Sequence, residues 1–414
     1  MASPDDPALA EVTSTTGRAA LFLTVGLFFL WGIANNLNDV LIAHFRAVFT
    51  LSDLQSGLVQ SAFYLGYFCF AVPAALVMQH FGYKTAVIQG LVQFGIGALL
   101  FWPASLMLSY TFFLVALFVI ASGLAFLETA ANPMVVALGS AETAERRLNL
   151  AQAFNPLGSI AGVAMGATFI LKDGGGNKLT AAAAVRLPYL VIALLVFAWA
   201  ATILVTRFPA VATRPGVQEA RTPRAYRQLL ARPRYLVGVG TQFLYVGAQV
   251  GIWSYLIRYV AVEMPDVGTQ RAAWLLTFSL ALFMAGRFAG AALMGRIPGA
   301  RLMLLFAAAD VVLCGIAAGV GGAVGVGALV LSSAFMSIMY PTILVLTLRG
   351  LGPLMKAGAS LLVMAIIGGA VLTAIMGFVS DAGSIRLAIL VPGASFLCIA
   401  LFARRHCGSG GVTA

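Results

Sequence analysis

Four ionisable side chains stand inside long apolar runs: Asp39, Glu128, Arg287 and Asp310. A charge at the centre of a membrane helix costs roughly 2.5–3.5 kcal/mol on insertion scales, so each of the four needs a partner or a task. Arg287 and Asp310 lie at matching separations either side of the Pro298-Gly299 turn. An antiparallel hairpin brings them to one depth, which predicts a structural ion pair. Asp39 and Glu128 have no cation so placed. A carboxyl in that position can take up and release a proton, because burial disfavours its charged form, or it can accept hydrogen bonds from a hydroxyl-rich ligand. Both are therefore candidates for coupling and for binding.

Amides gather around these two carboxylates. Gly32, Asn35, Asn36 and Asp39 follow an i, i+3, i+4, i+7 spacing and share one helix face, which cannot look at lipid. Glu128 is followed one turn later by Asn132, and reflection through the short connection near residue 142 sets Glu128 beside Asn155 and Pro156. Asn149, Gln152, Asn155 and Ser159 run along one side of that next helix. Glu128, Gln152 and Asn155 are thus expected to line one polar cavity, with Asp39 nearer its outer mouth. In the carboxyl-terminal half, Gln242, Tyr245, Gln249 and Trp253 fall along one helix face and Tyr340 precedes Pro341. Aromatic rings with amides and carboxylates suit a pyranose, which needs flat apolar faces and bidentate partners for adjacent hydroxyls. A phosphate or a dicarboxylate would instead need buried Arg or Lys, and a lipophilic drug a greasier cavity. The structural alternative is that single amides act as interhelical glue, and Trp253 as packing.

The elements that must hold these groups follow from composition. Of 414 residues, 61% are hydrophobic and 9% charged, against roughly a quarter charged in a soluble domain. With a mean hydropathy of +0.97, a water-soluble enzyme, a disordered chain and a coiled coil are all excluded, and the lipid bilayer is the solvent for most of the chain. About 20 apolar residues cross the hydrocarbon core as a helix, so unbroken runs predict an all-α membrane protein. Twelve spans are expected, near 20–43, 54–79, 84–107, 110–139, 148–171, 188–208, 234–260, 270–295, 300–320, 325–350, 356–380 and 384–403.

The one long polar interruption, PAVATRPGVQEARTPRAYRQLLAR at 209–232, divides the spans six and six. It separates an amino-terminal half, 1–208, from a carboxyl-terminal half, 233–414. The halves resemble each other: AALVMQHFGYK (74–84) aligns with AALMGRIPGAR (291–301), and NPMVVAL (132–138) with YPTILVL (340–346). A parallel six-plus-six repeat is the plan of major facilitator transporters, whose halves rock about a midplane site. Aligning span five with span eleven sets Gln152 opposite Val363 and Asn155 opposite Ile366, and the carboxylates of the expected site are confined to the first half.

The net charge of +11 reads as topology, since the cations sit between apolar runs and not in a basic groove for nucleic acid. Arg46, Lys172, Lys178, Arg186, Arg258, Arg271 and Arg386 fall on one side, and the other 18 of the 25 cations on the side of the termini and linker. The positive-inside rule then makes both termini cytoplasmic. The four cysteines show no paired or metal-ligand spacing, so neither a disulfide nor a metal site is expected. The polar, acidic first 17 residues lack the features of a signal peptide. Pro133, Pro156 and Pro341 interrupt helices close to the polar groups, where bending is useful.

On the segments FFLWGIANNLNDVL, GLAFLETAANP, RLNLAQAFNPLGS, TQFLYVGAQVGIWSY and MYPTILVL, the chain resembles the fucose:proton symporter family of the major facilitator superfamily, which also holds glucose/galactose and N-acetylglucosamine permeases. The likeness runs over nearly the whole chain. The superfamily's loop motif is degenerate here, with Gln79 and His80 where an acidic-basic pair is usual. The resemblance implies that Asp39 takes part in sugar binding and Glu128 carries the transported proton. It further implies that Asn36, Gln152 and Asn155 bind sugar hydroxyls, with Tyr340 opposite. The expectation is a proton-coupled symporter that imports a hexose or deoxyhexose by alternating access. It would catalyse no covalent chemistry, use no cofactor and work as a monomer in the bacterial inner membrane. Its rivals are a sodium-coupled symporter, since Asp39 with amide oxygens could hold a hard cation, a proton-driven drug exporter, and a sugar sensor that binds without transport.

Overall fold

The structure, a computed structural model, describes residues 15–49, 53–170, 182–213 and 222–407, nearly all of them helical. The helices used below are α1 (Thr15–Phe49), α2 (Asp53–Leu106), α3 (Tyr110–Ala137), α4 (Ala144–Gln152), α5 (Phe154–Met165), α6 (Arg186–Val205), α7 (Thr222–Leu230), α8 (Pro233–Glu263), α9 (Thr269–Leu293), α10 (Gly299–Gly319), α11 (Gly322–Met336), α12 (Met339–Leu348), α13 (Met355–Met364), α14 (Gly368–Ala382) and α15 (Leu390–Cys407). Nine described stretches are long and apolar enough to cross a bilayer. One of them, Ala62–Leu106, holds two crossings, while α1 and the α4–α5 pair supply the rest, so the twelve expected spans are all present.

The departures from straight spans have local causes. At 54 residues α2 would reach about 80 Å, far beyond the roughly 30 Å of hydrocarbon. It is two spans joined at Gly82, whose φ of 84° and ψ of 172° leave the helical region. A Cβ there would also press to 2.8 Å from the Thr213 carbonyl oxygen. Span five breaks at Ala153 into α4 and α5, and span ten breaks at Ser337–Ile338 into α11 and α12. Each break lies three or four residues before a proline, Pro156 or Pro341, which cannot donate to the carbonyl four residues back and crowds it with its ring. Span eleven passes through a tight turn at Ala365–Ile367 between α13 and α14.

The chain forms two compact units. The first comprises Met1–Ala141, Phe154–Ala225 and Pro353–Met364, the second Glu142–Ala153, Tyr226–Gly352 and Ala365–Ala414. In the first, α1 and α5 cross closely because Gly32 and Gly158 carry no side chain: a Cβ on Gly32 would collide with the Asn155 carbonyl oxygen, and one on Gly158 with that of Phe29. Lys84 donates to the Leu204 and Thr206 carbonyl oxygens at 2.9 and 2.8 Å, closing the end of α6 with a cation. Phe101 stacks on Tyr189 with centroids 3.6 Å apart.

The second unit is organised around α8. Three of its tyrosines donate to carbonyls of other helices: Tyr245 to Met336 (3.0 Å), Tyr255 to Thr373 (3.3 Å) and Tyr259 to Ala317 (2.6 Å). At the end of α8 the Glu263 carboxylate binds Arg386 and accepts from the Gly322 N–H at 2.7 Å. Large apolar side chains such as Val205 (81% exposed) and Phe378 (75%) point outward, as lipid-facing residues must.

Gly158→Ala is expected to lower the thermal unfolding midpoint of the detergent-solubilised protein, costing about 1–3 kcal/mol by overpacking the α1–α5 crossing. Gly315→Ala, where a Cβ meets nothing within 4 Å, should be neutral or slightly stabilising. Equal midpoints for the two variants would contradict the close crossing.

Candidate functional site

In the first unit Glu128 sits within α3 at 2% exposure. The Asn132 amide, one turn on, donates to the Glu128 carbonyl oxygen at 3.0 Å. Tyr67 of α2 lies within electrostatic reach of the Glu128 carboxyl and has the Trp31 indole and Tyr64 as further polar neighbours. Asn155, near the start of α5, is half-buried, and its Nδ2 donates to the Phe28 carbonyl oxygen of α1 at 3.1 Å. Gly32, the first residue of the expected polar face, packs against Asn155 and Ser159. Asn36 and Asp39 lie on the α1 backbone, but their side chains are outside the described residues.

The second unit holds the other expected residues. Gln152 ends α4 and is 4% exposed. Tyr245 and Tyr340 meet with ring centroids 6.2 Å apart at 58°. Trp253 donates through Nε1 to Ser333 Oγ at 3.0 Å and stands edge-on to Phe283 at 5.0 Å. Gln249 is half-buried on α8. Gln242 is fully buried, and neither atom of its amide has a hydrogen-bond partner among the described residues. Of the three residues expected to line one polar cavity, Glu128 and Asn155 belong to the first unit and Gln152 to the second.

One expectation is overturned. Arg287 and Asp310 do not pair: Arg287 Nε donates to the Ser337 carbonyl oxygen at 2.8 Å and Nη1 to that of Gln152 at 3.0 Å. Both oxygens of the fully buried Asp310 lack a hydrogen-bond partner among the described residues. The reason lies in the prolines. Ser337 and Gln152 stand four residues before Pro341 and Pro156, so theirs are the carbonyls that proline strips of a helical donor. An orphaned carbonyl away from water costs as much as a lost hydrogen bond, and a guanidinium with five fixed donors can serve two of them. The guanidinium also lies over the Phe283 ring at 4.5 Å, close to Tyr245 and Tyr340. In the sequence alone Arg287 reads as one half of a pair. Counting back four residues from each proline was the signal that could have found its partners.

The α4 helix is held at its other end too. Glu145 accepts from Arg349 Nη2 at 2.7 Å and from the Gly299 N–H at the start of α10. Burial lifts the Glu145 carboxyl above its ordinary range, against the pull of Arg349 and then of the Gly299 amide. Among the described residues no group of three or more His, Cys, Asp or Glu could hold a metal ion.

Membrane-spanning helices, broken by prolines where polar side chains collect, define a membrane transporter. The sequence model of the Major Facilitator Superfamily matches residues 20–363. The chain is 43% identical over 401 residues to the L-fucose-proton symporter of Escherichia coli, covering 92% of each, and 37% identical over 391 residues to the glucose/galactose transporter of Brucella abortus, covering 93% of each. Among solved structures, that of a major facilitator transporter in the outward conformation, the fucose:proton symporter, shares 42% of its sequence, with a TM-score of 0.86 over 93% of this chain and 98% of that one. A proton:xylose symporter with 14% identity and a TM-score of 0.70 shares the fold. The chain belongs to the fucose:proton symporter family of the Major Facilitator Superfamily.

Asp310→Asn exchanges one unpartnered polar side chain for another of the same shape and is expected to change stability by less than about 1 kcal/mol. Tyr245→Phe leaves the buried Met336 carbonyl without its hydroxyl donor and should cost about 1–3 kcal/mol. A loss in Asp310→Asn as large as that in Tyr245→Phe, read from thermal unfolding midpoints, would show that Asp310 is paired after all.

Proposed function

We propose that the protein is a proton-coupled symporter that imports a hexose or deoxyhexose by alternating access and makes or breaks no covalent bond in its substrate. The observation that carries this reading is Glu128, a carboxyl buried in an apolar helix of a chain 43% identical to an L-fucose-proton symporter. Burial favours the neutral carboxyl, so Glu128 takes a proton from the outer side and gives it up inside when water or sugar movement changes its surroundings. Asp39, Asn36, Gln152 and Asn155 take the sugar hydroxyls, while Tyr340, Tyr245 and Trp253 offer ring faces and Gln242 and Gln249 further amides. The unpartnered Gln242 amide supports this assignment, since a buried amide without a partner costs stability unless a ligand or water satisfies it. The names of the relatives, L-fucose-proton symporter and glucose/galactose transporter, bracket the substrate as a monosaccharide.

Energetics fit the assignment. One proton moving inward through 100 mV supplies roughly 2.3 kcal/mol, enough for about a fifty-fold sugar gradient. The cation distribution supports a topology with both termini and the 209–232 linker in the cytoplasm, between halves 1–208 and 233–414 that span a bacterial inner membrane, and the reading is of a monomer.

Reconstituted Glu128→Gln is expected to lose pH-driven accumulation of L-fucose or D-galactose yet retain exchange, whereas Asp39→Asn loses binding. Normal accumulation by Glu128→Gln would remove the proton role. Uptake driven by a sodium gradient with no pH gradient would replace the proton with sodium.

A further inference from the structure

The guanidinium of Arg287 joins two helix breaks. Through Nη1 it takes the carbonyl that Pro156 frees at Gln152, and through Nε the one that Pro341 frees at Ser337. The first carbonyl belongs to the last residue of α4, and the second stands three residues before Tyr340. Phe283, one turn earlier on α9, lies against the guanidinium face, and Tyr245, whose hydroxyl donates to the neighbouring Met336 carbonyl, lies close by. A broken helix without such a donor is free to re-pair its loose carbonyl by winding or bending, and the side chains at the break would turn with it. Arg287 is buried at 4% exposure, which leaves little room for water to substitute.

We propose that Arg287 is a positioning residue for sugar binding: by holding the two proline-freed carbonyls it sets the directions of Gln152 and Tyr340. This rests on the proposed function for the roles of those two side chains. A lysine cannot replace it fully, because one ammonium lacks the fixed fork that serves two acceptors at once.

The test is a rescue cycle in proteoliposomes, with exchange of radiolabelled L-fucose and D-galactose as the probe. Arg287→Met is expected to raise the KM for exchange about tenfold, the equivalent of one hydrogen bond, with the maximal rate changed less than threefold. Arg287→Lys falls between it and the native protein. Pro156→Ala restores a helical N–H to the Gln152 carbonyl, so Arg287→Met/Pro156→Ala should regain at least threefold in KM. Pro133→Ala, in another helix, should regain nothing. A KM equal in the single and the rescued variants, or a fall in maximal rate at unchanged KM, overturns the proposal. A 3-fluorotyrosine label at Tyr340 supplies a readout independent of transport: its fluorine resonance should shift in Arg287→Met and return with Pro341→Ala. If the native protein exchanges neither sugar, the proposed substrate class fails, and the fluorine signal alone decides the positioning role, an unmoved resonance in Arg287→Met overturning it.

Discussion

Inside hydrocarbon no water waits to satisfy a main-chain group, so every carbonyl that leaves helical pairing must find a donor elsewhere in the protein. That constraint decides the interior of this molecule. Pro156 and Pro341 break two spans and release the carbonyls of Gln152 and Ser337, and the one guanidinium of Arg287 takes both. Two tyrosines of α8 serve helix ends in the same way, Tyr245 at the Met336 carbonyl that closes α11 and Tyr259 at the Ala317 carbonyl in the last turn of α10. Irregular backbone is tolerated where a buried donor reaches it, and those are the places where candidate ligand-binding side chains collect.

The polar groups divide by chemistry as well as by place. The first unit carries Glu128 with Tyr67 within electrostatic reach, while the second carries the aromatic set Tyr245, Tyr340 and Trp253 with the buried amides of Gln242 and Gln152. A proton carrier needs a carboxyl whose surroundings change between states, and a sugar ring needs flat apolar faces and hydrogen-bonding partners for its hydroxyls. Keeping the two kinds of group on different helices lets each be tuned without disturbing the other.

Much of the fold was legible in the sequence, because hydrocarbon thickness sets span length and apolar runs report it directly. The turn at Gly82 was legible from the polar gap around it, and Glu128 stood out as a carboxylate with no cation at its depth. The sequence expects an interruption at Pro133, Pro156 and Pro341 alike, but the structure breaks only at the last two, since a membrane helix can carry a proline without breaking. Here Pro133 stays within the continuous α3. The ion pair expected for Arg287 and Asp310 failed because equal depth in a hairpin does not make two side chains face each other, and the guanidinium instead serves the two carbonyls that the prolines free.

The sequence by itself determined the solvent, the number and order of crossings, and the few side chains expensive enough in lipid to demand a reason. Those are properties of single residues and of their near neighbours along the chain. Only the tertiary structure decided the partners. Arg287 reaches Ser337 and Gln152 across 50 and 135 residues, and Tyr245 reaches Met336 across 91. A hydrogen bond depends on a donor lying within about 3 Å of its acceptor, and helix packing alone brings such distant residues that close.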